Sequence, residues 1–293
     1  MDKTVFALGF FDGVHLGHQA LLKAAVRLAE QTGSVPGAVT FSVHPDGLVS
    51  GNAPGLLSTG CERDRLLRLY GMERVLALAF DRELMETQWS DFLEQLVGKG
   101  AAGFVCGDDF RFGAGGIGTA QTLGSWCRQR NLPYAIVPQQ EVDGVRVSST
   151  HIRGLLEKGE MEQVVRFLGH PYILSGEVVK GRSLGHTIGI PTANVLLTEG
   201  LAVPKLGVYA GYATVEGKEY PAVTNIGSRP TVGGHQVRME SWLLDFEGDL
   251  YGKALTVALL HFLRPEQKFG SLEEMRVEIL KNAAQTRKLL EKS

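Results

Sequence analysis

The sequence predicts an α/β chain in two parts: a parallel sheet with helices on both faces, then an antiparallel β-barrel followed by a terminal helix. Three observations predict it. Short apolar runs alternate with helix-period segments through residues 4–169, the pattern of repeated β-α units. After residue 170 the runs are strand-like and separated by Gly-containing turns, with no helix between them, which suits an antiparallel barrel. The final segment, 271–292, keeps a helical period throughout.

Taken in order, TVFALGFF reads as a buried strand and HQALLKAAVRLAEQTG as an amphipathic helix ending at Gly33. GAVTFSV is strand, CERDRLLRLYGM helix, RVLALAF strand, WSDFLEQLVGKG helix, AGFVCG strand, TAQTLGSWCRQRN helix and YAIVP strand. The strands are apolar without clean alternation, as in a parallel sheet buried on both sides. SSTHIRGLLEKGEMEQVVRFLG closes this part with helical material. The second part contributes SGEVVKG, GVYAGYATVEG, KEYPAVTNIG, VRMESWLLDF and KALTVALLHFL as strands, with EGKE and FEGDLYG read as hairpin turns. Ser271 and Glu274 have capping-box spacing at the start of the last helix. The expected domains are 1–170 and 171–293.

The totals bound the function. The chain has 293 residues, enough for two ordinary domains, and a formal net charge of −2. No basic arm or acidic tail is present, so nothing argues for a nucleic-acid partner or a membrane surface. Cys61, Cys106 and Cys127 are odd in number and lack C-x-x-C spacing, which fits a reducing cytoplasm better than disulfides or zinc. The N-terminal apolar run is too short for a secretory signal, and no run approaches the roughly 20 apolar residues of a membrane span.

Two constellations carry chemistry. The first is HLGH, residues 15–18, at the seam between the first strand and the first helix. Ligands of open α/β sheets bind beyond the carboxyl ends of the strands, and a helix N-terminus attracts phosphate. Gly17 would admit a nucleotide closely. His15 and His18 can donate to phosphoryl oxygens, or serve merely as capping and surface residues. Ser148, Ser149 and Thr150 precede a second helical run with Arg153 one turn in, either an anion site or an ordinary cap with a solvated arginine. GAGGIG, 113–118, spells a dinucleotide fingerprint. The polar DDFRF before it spoils the tight turn, and a loop near the active site is the better reading.

The second constellation is VVKGRSLGHTIGIPTANV, 178–195, with a distant acid, Glu240. Gly181, Gly185 and Gly189 make the backbone adaptable, and Lys180 and Arg182 add charge. Thr192 and Asn194 offer oxygens suited to Mg²⁺. The stretch could equally be a glycine-rich loop without a ligand. Strand alternation puts Glu240, Trp242 and Leu244 on one face, so Glu240 is either a paired core acid or a general base.

The spelling extends this. GFFDGVHLGHQALL, TFSVHP, CGDDFRFGAGGIG and VSSTHIRGLLEKG resemble the adenylyltransferase half of the bacterial bifunctional riboflavin kinase/FMN adenylyltransferase (FAD synthetase) family. GRSLGHTIGIPTAN, GVYAG, TNIGSRPTV, RMESWLLDF, DLYGK and FLRPEQKF, in that order, resemble its riboflavin kinase half. The resemblance implies a Rossmann-like nucleotidyltransferase domain with a parallel sheet, plus a C-terminal antiparallel β-barrel riboflavin kinase domain. It implies that His15, Gly17, His18, Ser148, Ser149, Thr150 and Arg153 bind one ATP, with His18 and Arg153 catalytic. A second ATP would meet Gly181, Arg182, Gly185, Gly189 and Pro191, with Mg²⁺ at Thr192 and Asn194 and Glu240 as base. Asp109, Asn225, Arg229 and Arg264 would border flavin. The implied partners are ATP, riboflavin, FMN and the product FAD, with oligomeric state left open. Rivals are another H-x-G-H nucleotidyltransferase and a non-catalytic flavin-binding regulator.

Overall fold

The computed structural model describes residues 3–49, 51, 53–181, 189–231 and 234–291. They form two compact units, Met1–His151 and Ile152–Ser293. In chain order the first unit holds β1 (Thr4–Leu8), α1 (Leu16–Thr32), β2 (Val35–Phe41), α2 (Pro45–Val49), α3 (Gly60–Leu69), β3 (Arg74–Leu78), α4 (Arg82–Glu86) and α5 (Trp89–Gly98). It continues with β4 (Ala101–Gly107), β5 (Arg111–Phe112), β6 (Gly118–Thr119), α6 (Ala120–Gln129), β7 (Tyr134–Val137), β8 (Glu141–Val142) and β9 (Val145–Arg146). Helix α7 (Ser149–Lys158) runs across the division, and α8 (Met161–Leu168) belongs to the second unit.

The main sheet has the order β3-β2-β1-β4-β7 with every pairing parallel. β1 lies at its centre and all five of its residues are buried, which is why TVFAL shows no polar alternation. Gly33 ends α1 in a left-handed conformation and returns its N–H to Ala29 and Glu30. Thr59 and Glu62 cap α3 reciprocally. The GAGGIG stretch is not a strand-to-helix turn. Its first and last glycines flank a short 3₁₀ turn between the paired strands β5 and β6. A Cβ on Gly113 would lie 2.5 Å from the Trp89 backbone, so this hairpin is packed down on the start of α5.

The second unit is a closed barrel of β10 (Tyr172–Val179), β11 (Ala193–Leu196), β12 (Gly207–Val215), β13 (Lys218–Thr231), β14 (Gly234–Leu243) and β15 (Ala254–Pro265), followed by α9 (Leu272–Leu290). The strand order around the barrel is β10-β11-β14-β13-β12-β15, so no long edge is left unpaired. Glu216 and Gly217, both at positive φ, join β12 to β13 in a two-residue hairpin turn, as read from EGKE. Two expectations are corrected. Strand β11 was not foreseen: ANVL has only four residues and starts two positions after Pro191. FEGDLYG is not a hairpin turn, because β14 pairs with β11 and β13 while β15 pairs with β10 and β12. Ser271 does cap α9 through Glu274 N–H, but the Glu274 carboxylate returns to Gly270 N–H at 2.9 Å.

Met161, Val164, Phe167 and Leu168 on α8 are buried, and α8 packs on β10 and β15. Each such side chain contributes roughly 1.5–3 kcal/mol when fully buried. A hydrogen bond of 2.8 Å joins His261 to Glu162 across the same contact. A fragment 152–293 is therefore expected to melt cooperatively, and a fragment 171–293, which strips α8 from the barrel, at a markedly lower temperature. Equal melting of the two in thermal denaturation would show that α8 adds nothing to the barrel.

Candidate active sites

The sheet of the first unit ends in a tightly tied turn. Phe11 leaves β1 with φ 60°, a left-handed value uncommon outside glycine. A 3₁₀ turn, Asp12–Val14, follows and delivers His15 to the N-cap of α1. The buried Asp12 carboxylate accepts from Leu57 N–H at 2.8 Å and Ser58 N–H at 3.2 Å. Ser58 Oγ in turn accepts from Gly13 N–H at 3.0 Å. The turn that carries HLGH is thus clamped from the segment leading into α3.

The two imidazoles are stacked, centroids 3.6 Å apart and rings 13° from parallel. His15 Nδ1 accepts from His18 N–H at 3.3 Å, capping the helix. A Cβ on Gly17 would press on the His15 ring at 3.2 Å, so glycine is required there by the ring as well as by any ligand. His18 Nδ1 is buried without a partner among the described residues, which leaves Nε2 as the nitrogen available to a ligand. Burial first, then the neighbouring His15 and Arg63, hold the His18 imidazole well below its usual range, so it is neutral at physiological pH.

The start of α7 meets the same turn. Ser149 Oγ donates to Asp12 C=O at 3.2 Å, and Ser148 Oγ caps by accepting from His151 N–H at 3.2 Å. Thr150 is exposed. Two helix N-termini therefore converge beyond β1, a geometry suited to an anion. Arg153 stands one turn further along α7, past the division between the units.

Past the end of β2, at Phe41, lies a cavity of about 760 Å³. Its walls are mostly aromatic and aliphatic: Phe41, Phe80, Phe92, Phe110 and Phe112, with Arg111 and the Gly113–Gly116 backbone at one side. TFSVHP and DFRFGAGG both contribute to it. Asp109 does not line it, being exposed and paired with Arg146.

In the barrel, the register builds the second site. Glu240 on β14 lies opposite Asn194 on β11 and opposite Asn225 on β13, one row across three strands. Met239, Ser241 and Leu243 point the other way and are buried, as the alternation requires. Glu240, Trp242, Asn225 and Arg264 line a cavity of about 190 Å³ under α9. Arg264 is oriented there by a 3.1 Å bond from Nε to Asn282 Oδ1 on α9. A separate cavity of about 500 Å³ is lined by Val178, Pro191, Ser241, Leu243 and the segment 246–251. Thr192 borders both cavities.

Asn194 is buried and held by a 3.2 Å bond from Nδ2 to Thr192 C=O. A Cβ on Gly181 would lie 2.5–2.7 Å from the Asn194 amide atoms. Gly181→Ala is expected to displace that amide and lower kcat/KM at the barrel site by about ten- to a hundredfold. Separate kinetics at the two sites would check it, turnover in the first unit remaining unchanged. Gly189 is described, at φ 73°; Arg182 and Gly185 lie outside the described residues, as does the Arg229 side chain, though the Arg229 backbone pairs with Gln236. Among the described residues no cluster of three His, Cys, Asp or Glu could hold a metal. The sequence reading missed Arg63, Arg238 and Glu266. Arg238 and Glu266 share with Glu240 a recess of about 70 Å³; both fall inside stretches quoted for the resemblance, RMESWLLDF and FLRPEQKF, where neither was singled out as a site residue.

Two capped helix N-termini on a parallel sheet, joined in one chain to a barrel whose acid and threonine line cavities, fit a two-site nucleotide-dependent transferase. The FAD synthetase family model matches residues 1–151 and the riboflavin kinase model residues 168–290. A bifunctional riboflavin kinase/FMN adenylyltransferase of Pseudomonas fluorescens is 36% identical over 289 residues, covering 97% of this chain and 92% of the relative. The enzyme of the same description from Escherichia coli K12 is 36% identical, covering 96% and 91%. A crystal structure from Streptococcus pneumoniae, described as a macrolide-efflux protein, superposes with a TM-score of 0.88 at 30% identity, covering 98% of this chain and 94% of the other. No described helix here is long and apolar enough to cross a membrane. The chain belongs to the bifunctional riboflavin kinase/FMN adenylyltransferase family.

Proposed function

We propose that the chain makes FAD from riboflavin in two successive ATP-dependent steps, one in each unit. In the barrel, Glu240 takes the proton of the riboflavin terminal hydroxyl as that oxygen attacks the γ-phosphorus of ATP, giving FMN and ADP. Thr192 stands between the nucleotide compartment, with Pro191 on its wall, and the flavin compartment lined by Asn225, Trp242 and Arg264. The Arg229 side chain and the glycine segment around Gly181, Gly185 and Gly189, with Arg182, are assigned to flavin and phosphate by family likeness. Thr192 Oγ1 and Asn194 Oδ1 form a neutral oxygen set. That suits Mg²⁺, which takes few protein ligands and keeps phosphate and water oxygens. When bound, the ion would neutralise phosphate charge.

In the first unit, a phosphate oxygen of FMN attacks the α-phosphorus of a second ATP and pyrophosphate leaves. The ionised phosphate is itself the nucleophile, so the protein supplies position and charge. His18 and the capped N-termini of α1 and α7 hold the ATP phosphates, with Ser148, Ser149 and Thr150 at the α7 end. Arg153 stabilises the departing pyrophosphate. The aromatic cavity takes the isoalloxazine, and Asp109 stands at its margin. ATP dependence fits a cytoplasmic place of work.

The observation that carries this reading is the row Asn194–Glu240–Asn225 with Thr192 shared by two cavities. Isotope tracing tests it. With riboflavin and γ-labelled ATP the label should enter FMN; with α-labelled ATP it should enter FAD alone. Failure to label either product would overturn the proposal.

A further inference from the structure

Beside Glu240 the barrel holds a recess that the two-step reading leaves unused. It measures about 70 Å³ and is lined by Asn225, Gly227, Ser228, Arg238, Glu240 and Glu266. Strand register builds it. Arg238 stands two residues before Glu240 on β14, hence on the same face, and lies opposite Gly227 on β13. A Cβ on Gly227 would sit 2.7 Å from Glu266 Oε1 and 3.2 Å from Asn225 Nδ2. The bare glycine thus lets the Glu266 carboxylate, just past β15, close over the strand. Among the described residues, Arg238 and Glu266 share this recess without an ion pair between them. Arg238 Nη2 donates to Gln236 Oε1 at 3.3 Å, and Nε is buried with no partner among the described residues. The protein itself therefore leaves the guanidinium under-satisfied, and a gap separates two unlike charges.

The gap selects its occupant by chemistry. A guanidinium only donates and an ionised carboxylate only accepts, whereas a hydroxyl does both. A phosphate would suit Arg238 but would face two carboxylates, Glu240 and Glu266, and a cation would meet the arginine. Position points the same way. Asn225, Glu240 and Glu266 also wall the cavity of about 190 Å³ assigned to flavin. No residue of the recess borders the cavity of about 500 Å³ assigned to nucleotide. Val208, Val223, Trp242, Met275 and Ile279 make the flavin cavity apolar enough for a flat ring, which leaves the polar recess for what the ring carries. We propose that the recess is the subsite for the hydroxyl-bearing chain of riboflavin. Arg238 donates to, and Glu266 accepts from, the hydroxyls that lie between the ring and the terminal oxygen at Glu240. These two residues thereby set the preference for a polyhydroxylated chain.

The inference rests on the kinase reading of the barrel, and its test separates the two. The full chain is assayed with riboflavin and with an analogue bearing a 5-hydroxypentyl chain on the same ring. The analogue keeps the terminal hydroxyl and lacks those between it and the ring. Wild type should favour riboflavin in kcat/KM by about a hundredfold, since a site built to bond hydroxyls rejects a substrate without them. Arg238→Met and Glu266→Gln should each lower kcat/KM for riboflavin by about tenfold and for the analogue by clearly less, so that the preference shrinks. Equal falls on both substrates, the result if the recess holds water only, or no fall on either, overturn the proposal. Should both variants fail to fold, the wild-type preference decides, equal use of the two substrates overturning it. Failure of the kinase reading looks different: wild type then phosphorylates neither flavin, and the subsite falls with it.

Discussion

Glu240→Gln abolishes FMN formation from riboflavin, by about 10²–10⁴-fold, while FAD formation from supplied FMN continues at the wild-type rate. The amide is isosteric with the carboxylate, so the β14 register with Asn194 and Asn225 should persist. What is lost is the acceptor for the hydroxyl proton. The selectivity follows from Glu240 lying in a barrel strand while His18 lies at the start of α1 in the other unit. Separate assays from riboflavin and from FMN read it directly. Loss of both steps would mean that the substitution damages the whole chain, and survival of both would mean that the base lies elsewhere.

The mirror experiment has an effect of similar size. His18→Ala removes the donor that the proposed adenylyl-transfer step assigns to the phosphates, and a single donor lost at such a centre costs about 10²–10³ in kcat. The stacked partner of His15 goes with it, so the cap loosens as well. FAD formation from FMN should fall by at least that factor while riboflavin phosphorylation proceeds. A variant with normal adenylyl transfer would reduce HLGH to a structural cap.

The sheet and its helices were legible because burial on both faces leaves TVFAL, GAVTF and AGFVCG with uninterrupted apolar runs, and Gly33 with its left-handed cap marks a helix end. The barrel was legible as strands but not in its closure. Strand β11 carries only four residues, and its partners β10 and β14 are set by long-range register that local spelling does not encode. FEGDLYG has turn chemistry, yet what it connects depends on which strands pair. HLGH, SST and PTAN drew attention because they put special residue types at element ends. Arg63 was invisible for the opposite reason: in CERDRLLRL it reads as one more basic residue on the wet face of a helix. Only the packing of α3 against the turn after β1 shows that it is buried. Asp109 shows the same limit, since its pairing with Arg146 unites residues far apart in the chain.

Mixing the two crippled chains measures the central claim most directly. Glu240→Gln and His18→Ala, each unable to convert riboflavin into FAD alone, are combined with riboflavin, ATP and Mg²⁺, and the products are separated by chromatography. Two independent sites predict that FMN released by the His18→Ala chain is adenylylated by the Glu240→Gln chain, so FAD accumulates. A mixture that yields no FAD, although each variant performs its remaining step when assayed alone, would contradict two sites that work independently and share FMN through solution.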